Sequence, residues 1–288
     1  MAGSAGALRL GLLILPEARW SVARERWQRA DALGFDHAWT YDHLAWRSFR
    51  DADWFGAVPT LAAAAQVTSR IRLGTLVASP NFRHPVPFAK ELMTLDDLCR
   101  GRLCAGLGAG SDTFDATMLG QEPWSRRERS ERFEEFVTLL DRLLREPRVS
   151  HSGRYYSAHE ARNIPGCVQA PRVPFAIAAT GPRGMKLAAR FAETWVWVEG
   201  RGNPVERVAE LDRVCAANGR APDSLRRLAL LGFDTAVQSV EDFRRAAARY
   251  RELGFTDLVL HWPRESEPFR AREPLLDEIA AERETRVR

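Results

Sequence analysis

Asp42 and His43 stand side by side where an apolar run, Phe35 to Tyr41, gives way to polar residues. Histidine side chains exchange protons near neutral pH, so such a pair suits acid–base work at the end of a strand. Four other polar or glycine-rich groups follow similar runs: Ser79 to His84, Gly108 to Asp112, Thr180 to Gly184, and His261. Thr180-Gly181-Pro182-Arg183-Gly184 has glycines where a helix should begin. Exposed N–H groups and the positive helix end could approach a phosphate there, assisted by Arg183 or the Thr180 hydroxyl. An ordinary strand-to-helix turn accounts equally well for the local residues. Gly106-x-Gly108-x-Gly110 resembles a dinucleotide loop, but Ser111 occupies the third glycine position of G-x-G-x-x-G, and a tight turn explains the triplet as well.

Other chemistries lack their residues. The six histidines are scattered, and the first predicted strand, Leu8 to Leu15, has no His, Asp or Glu, so no metal site is expected. Cys99, Cys104, Cys167 and Cys215 show neither metal spacing nor disulfide density and read as small core hydrophobes. The lysines, Lys90 and Lys186, do not lie at strand ends, which argues against a hydrolase or lyase built on a lysine.

The elements that position these groups follow one rhythm. Ile71 to Ala78 is a short apolar run suited to a strand buried on both faces. Pro85 can open a helix, Phe88, Leu92, Leu95 and Cys99 recur at helical spacing, Gly101 supplies a left-handed stop, and Arg102 to Gly108 is the next strand. This is a βαβ unit, whose crossover is right-handed. A strand at Phe35 to Tyr41 precedes it, and Ser21 is placed to cap the first helix. Ser111 to Ser125 is a long joint of the kind that forms lids or binding loops. Residues 148–172 interrupt the rhythm with a small hairpin around Ser152-Gly153, and alternation resumes to a last strand, Thr256 to Trp262. Eight alternating strands and helices in 288 residues predict a single-domain (β/α)8 TIM barrel with an insertion between helix 4 and strand 5, with an open doubly wound sheet as the structural alternative. In such a barrel the working residues lie at the C-terminal strand ends.

Composition narrows the setting. Arginines are interleaved with Asp and Glu along predicted helices, so the sequence pI of about 9.1 does not mark a nucleic-acid footprint. No apolar run reaches membrane-spanning length, and the opening MAGSAGA has no signal-peptide pattern. A cytoplasmic, soluble protein is expected.

Five motifs in order carry a resemblance: Asp42-His43, G-T-L-V-x-S-P-x-F-R-H-P at 74–85, A-K-E-L-x-T-L-D-x-L-x-x-G-R at 89–102, the glycine-rich turn at 106–110, and A-A-T-G-P-R-G-M-K-L-A-A-R-F-A-E-T-W at 178–195. Together they resemble the bacterial luciferase-like oxidoreductases, most of all the actinobacterial branch that uses the deazaflavin coenzyme F420. The resemblance implies a flavin or deazaflavin across the C-terminal mouth, with Asp42 binding the cofactor and His43 over its reactive face. It places a non-prolyl cis peptide at Leu76-Val77 behind the ring, with Gly108 and Ala109 at the ring side. Thr180, Gly181, Arg183 and Gly184 would meet the phosphate. With F420 the implied reaction is hydride transfer to or from a small organic substrate. The alternative is an FMN-dependent monooxygenase using O2, fed with reduced flavin by a separate reductase. A flavin-binding protein without catalysis would keep the phosphate turn and dispense with His43. Family members are often homodimers. The sugar-phosphate dehydrogenases of the branch carry a catalytic glutamate where this chain has Ser111, with Asp112 adjacent, which argues against a glucose-6-phosphate type reaction. Trp46, Trp54, Phe82, Phe114 and Trp262, with Ser111, suggest a largely apolar substrate pocket.

Overall fold

The computed structural model describes residues 8–287 apart from 112 and 113; MAGSAGA at the start and Asp112 therefore lie outside the described residues. Eight parallel strands close into a barrel in the order β1, β10, β9, β8, β7, β4, β3, β2. They are β1 (Arg9–Leu13), β2 (His37–Thr40), β3 (Arg72–Ala78), β4 (Leu103–Gly108), β7 (Phe175–Ala178), β8 (Thr194–Val198), β9 (Arg226–Leu230) and β10 (Asp257–His261). The expected insertion is a separate antiparallel hairpin, β5 (Arg148–Ser152) with β6 (Ser157–Arg162). Among the described residues the helices are α1 (Trp20–Ala32), α2 (Ala57–Val67), α3 (Pro85–Leu98), α4 (Phe114–Thr117), α5 (Arg126–Arg145), α6 (Pro182–Phe191), α7 (Pro204–Ala217), α8 (Val240–Glu252) and α9 (Leu275–Val287).

Alternation along each strand splits the core in two. Leu12, Ala38, Leu73, Leu107, Ile177 and Leu258 face the helical ring, whereas Leu13, Trp39, Leu76, Ala176, Val196 and Val259 fill the barrel interior. Local signals set the helix ends. His84 caps α3 ahead of Pro85, and Ser125 with Glu128 forms a capping box on α5, a device worth about 0.5–2 kcal/mol. Ser21 does not cap α1: the helix starts one residue earlier, at Trp20, with Arg19 before it and no side-chain cap.

At the N-terminal end of the barrel, Asp257 accepts from Arg9 Nε at 2.9 Å and from His37 Nε2 at 3.0 Å. Trp39 Nε1 donates to His37 Nδ1 at 2.7 Å, so His37 carries its proton on Nε2. Burial works to raise the Asp257 carboxyl, but the hydrogen bond from His37 and the charge of Arg9 outweigh it and hold it well below the usual carboxylate range. The network ties β10, the last strand of the barrel, to β1 and β2 at the face opposite the expected site.

Beneath the site, β3 and β4 approach unusually closely. A Cβ on Gly106 would lie 1.9 Å from Thr75 O, and one on Gly74 would lie 2.3 Å from Cys104 O. The Thr75 hydroxyl donates to Gly106 O at 2.9 Å. Beyond Thr75 the register shifts, and the Leu76–Val77 peptide is cis, at the place named from the sequence. Gly106→Ala must push these strands apart and should cost about 1–3 kcal/mol, read as a lowered midpoint in denaturant unfolding.

Candidate active site

Each side chain at the mouth is carried there by a strand end. The β2 turn delivers Tyr41, Asp42 and His43. Asp42 is buried, and both its oxygens accept from Arg83 on the β3 loop, Nε to Oδ2 at 2.5 Å and Nη2 to Oδ1 at 2.8 Å. Arg83 also donates to Glu91 at 2.7 Å and lies over the Phe82 and Phe88 rings at 5.1 and 4.7 Å. Asp42, which the resemblance gives to the cofactor, accepts the fork of Arg83 on both oxygens and so joins the β2 and β3 loops.

His43 points the other way. Its side chain is 20% exposed, and Nδ1 lies 2.5 Å from Oδ2 of Asp115, a side chain only 1% exposed. Asp115 Oδ1 accepts the Leu44 backbone N–H at 2.7 Å, and Trp54 Nε1 donates to His43 O at 2.8 Å. The histidine is thus gripped at its ring and on its backbone, and among the described residues no hydrogen bond claims Nε2. Such an imidazole can pass a proton to or from a ligand at the mouth. Sequence reasoning missed Asp115: no periodicity separates it from the rest of the 111–125 joint, although that joint was recognised as a binding loop.

Aromatic rings cluster beyond the strand ends, with a membership that differs from the expected one. Trp46 stacks on Phe49, Trp54 and Phe269 at 5.9 to 6.2 Å. Phe82 lies against Arg83, and Phe114 lies 4.6 Å from the Arg50 guanidinium. Trp262 is not in this pocket. It packs in the outer layer between strand and helices, because alternation along β10 turns His261 inward and the next residue outward. Phe233 and Phe269 take its place: His261 stacks on Phe269 at 3.4 Å between centroids and meets Phe233 edge-on at 5.6 Å. His261 Nδ1 donates to Leu231 O at 2.9 Å, so Nε2 accepts from the Tyr41 hydroxyl at 2.9 Å. Burial lowers His261 to about 3, so this ring is neutral at working pH and holds the wall rather than exchanging protons.

Glu199, one residue past β8, was also missed, although the strand-end rule would have selected it. Its Oε2 accepts the backbone N–H groups of residues 232–235 at 2.9–3.0 Å, and the Thr235 hydroxyl bonds Oε1 at 2.5 Å. Burial acts to raise this carboxyl, yet the Thr235 hydroxyl and the N–H donors outweigh it and hold it below its ordinary range. Glu199 therefore shapes the loop that presents Phe233.

The floor and the glycine turns divide by accessibility. Leu76 and Gly108 are buried, whereas Val77 and Ala109 are partly exposed. A Cβ on Gly108 would lie 2.6 Å from Val77 Cγ2, so that glycine makes room for Val77, which faces the barrel interior. Asn81 donates to Ser111 O at 2.8 Å and ties the β3 and β4 loops together. At α6, Gly184 makes room for Ala179, whose Cβ a new side chain would meet at 2.7 Å; Gly181 has no neighbour within 4 Å of a would-be Cβ. Gly181 is the N-cap and no side chain caps the helix. Thr180 is partly exposed and Arg183 exposed, the latter 3.7 and 3.6 Å from Glu131 and Glu134. An uncapped helix start opening on free space fits an anionic group, so these residues are compatible with a phosphate-bearing flavin-type cofactor. Among the described residues no three His, Cys, Asp or Glu side chains gather as a metal site requires, and no helix is long and apolar enough to cross a membrane.

A family model described as luciferase-like monooxygenase matches residues 6–286. The chain belongs to that family. It is 34% identical over 78% of its length to an F420-dependent glucose-6-phosphate dehydrogenase of Beutenbergia cavernae, covering 66% of that protein. It is 30% identical over 77% of its length to an F420-dependent hydroxymycolic acid dehydrogenase of Mycobacterium tuberculosis, covering 62% of it. The chain thus spans less than two thirds of the length of these luciferase-like relatives. In fold it is similar to an F420-dependent secondary alcohol dehydrogenase solved with an F420–acetone adduct, with a TM-score of 0.81, 19% identity, and 95% and 97% of the two chains covered. A monooxygenase from Streptomyces bottropensis has a TM-score of 0.77 at 21% identity, with 95% and 97% covered.

The buried Asp42–Arg83 pair yields a direct expectation. Asp42→Asn leaves the guanidinium with Glu91 as its remaining carboxylate partner and should cost about 1–3 kcal/mol of stability, measured by chemical denaturation of the cofactor-free protein.

Proposed function

We propose that this protein is an F420-dependent oxidoreductase that moves a hydride to or from a small, largely apolar organic substrate. What supports the reading is a set of groups at C-terminal strand ends: His43, anchored by Asp115 and with no hydrogen bond on Nε2 among the described residues, the partly exposed Val77 and Ala109, and the uncapped helix start at Gly181. The F420-dependent relatives support the choice of cofactor. When bound, the deazaflavin would supply the hydride chemistry, and the protein supplies binding, orientation and proton transfer.

Each part has a physical task. Thr180, Gly181 and Arg183 would hold the phosphate with helix N–H groups, hydroxyl and charge. Val77 and Ala109 would support the ring. Trp46, Trp54 and Phe233 would offer apolar walls that exclude water, and Ser111 and Phe114 would border the opening from the β4 side. His43 takes or returns a proton at the substrate. Ser111 in place of a glutamate argues that the substrate is not a sugar phosphate, whatever the names of the relatives.

Titration of the purified protein with F420 and FMN, followed by fluorescence and absorbance, tests the cofactor. F420 should bind at least about tenfold tighter, a gap of about 1.4 kcal/mol. Equal or reversed affinities move the protein to the FMN monooxygenase branch and its reductase partner. His43→Ala should lower turnover about a hundredfold or more while leaving cofactor affinity within a few-fold. Normal turnover by this variant, measured by steady-state kinetics, assigns the proton to another group.

A further inference from the structure

We infer that Asp115 is the positioning residue of His43, selecting the imidazole tautomer so that Nε2, rather than Nδ1, exchanges the substrate proton. The inference rests on the proton role proposed for His43. Four observations lead to it. Asp115 is 1% exposed, and its two oxygens have different partners: Oδ1 takes the Leu44 N–H at 2.7 Å and Oδ2 faces His43 Nδ1 at 2.5 Å. A carboxylate can only accept, so Nδ1 must carry the ring proton, which leaves the Nε2 lone pair for a ligand. Asp42, the sequence neighbour of His43, is committed to Arg83 through both oxygens. Ser111, three residues past β4, carries no carboxyl group. Asp115 therefore supplies a carboxylate to this mouth from four residues further along, on α4, and supplies it to the histidine.

Because Leu44 N–H pins Oδ1, the substitution Asp115→Asn has a defined consequence. The carbonyl oxygen of the amide stays on Leu44 and its NH2 turns toward Nδ1, which must then accept; the ring proton moves to Nε2 and blocks the atom that should receive the substrate proton. The same logic underlies the loss of activity when the orienting aspartate of a Ser-His-Asp triad becomes asparagine.

Nitrogen-15 NMR of the cofactor-free protein reads the tautomer directly. In the neutral imidazole the wild type should carry the proton on Nδ1, and Asp115→Asn should carry it on Nε2. F420-dependent turnover of the variant should fall by about a hundredfold or more, with KM and F420 affinity within a few-fold and partial recovery in Asp115→Glu. A wild-type His43 protonated on Nε2 overturns the inference, as does an Asp115→Asn variant with unchanged turnover. If Asp115→Asn does not fold, the wild-type tautomer decides alone. Failure of the wild type to bind F420 overturns the proposed function, while the tautomer measurement still decides the role of Asp115.

Discussion

Buried carboxylates organise the mouth of this barrel. A charge removed from water must be met by donors on every side, and that requirement turns Asp42, Asp115 and Glu199 into clamps. Asp42 joins the β2 and β3 loops through Arg83. Asp115 brings α4 back onto the β2 turn. Glu199 gathers four consecutive backbone N–H groups beyond β9. Each of the three holds a loop in place, so together they shape the mouth of the barrel.

The two mouth-facing histidines are separated by the same economy of partners. His261 is sealed between Leu231 O, the Tyr41 hydroxyl and the Phe269 ring, and burial keeps it neutral. His43 has one nitrogen held by Asp115 and retains partial exposure. One ring is therefore part of the wall and the other is able to work, a distinction made by partners and water access rather than by residue type.

The glycines show a related division. Gly74 and Gly106 let two strands approach, and Gly108 and Gly184 make room for Val77 and Ala179, all packing requirements; only Gly181 opens on free space beside a helix start. A glycine-rich motif in the sequence is thus a mixture of packing and binding positions, and distinguishing them takes the neighbouring atoms.

The sequence by itself determined the architecture and singled out the C-terminal strand ends as the candidate site. Apolar runs of strand length, helical periodicity, Pro85 and Gly101 at element boundaries, and the break at 148–172 suffice for a closed barrel with a hairpin insertion, because those signals act over a few residues. The strand-end rule likewise brought Asp42, His43, Val77 and Gly181 to one mouth. The tertiary structure alone decided who partners whom. Asp42 faces Arg83, 41 positions away, and His43 faces Asp115, 72 positions away, so two neighbours in the chain take different partners. Trp262 was lost from the pocket for the same reason, since which of two neighbouring residues points inward depends on strand register. Side-chain pairing over such separations is settled by packing and desolvation in three dimensions, and no local pattern encodes it.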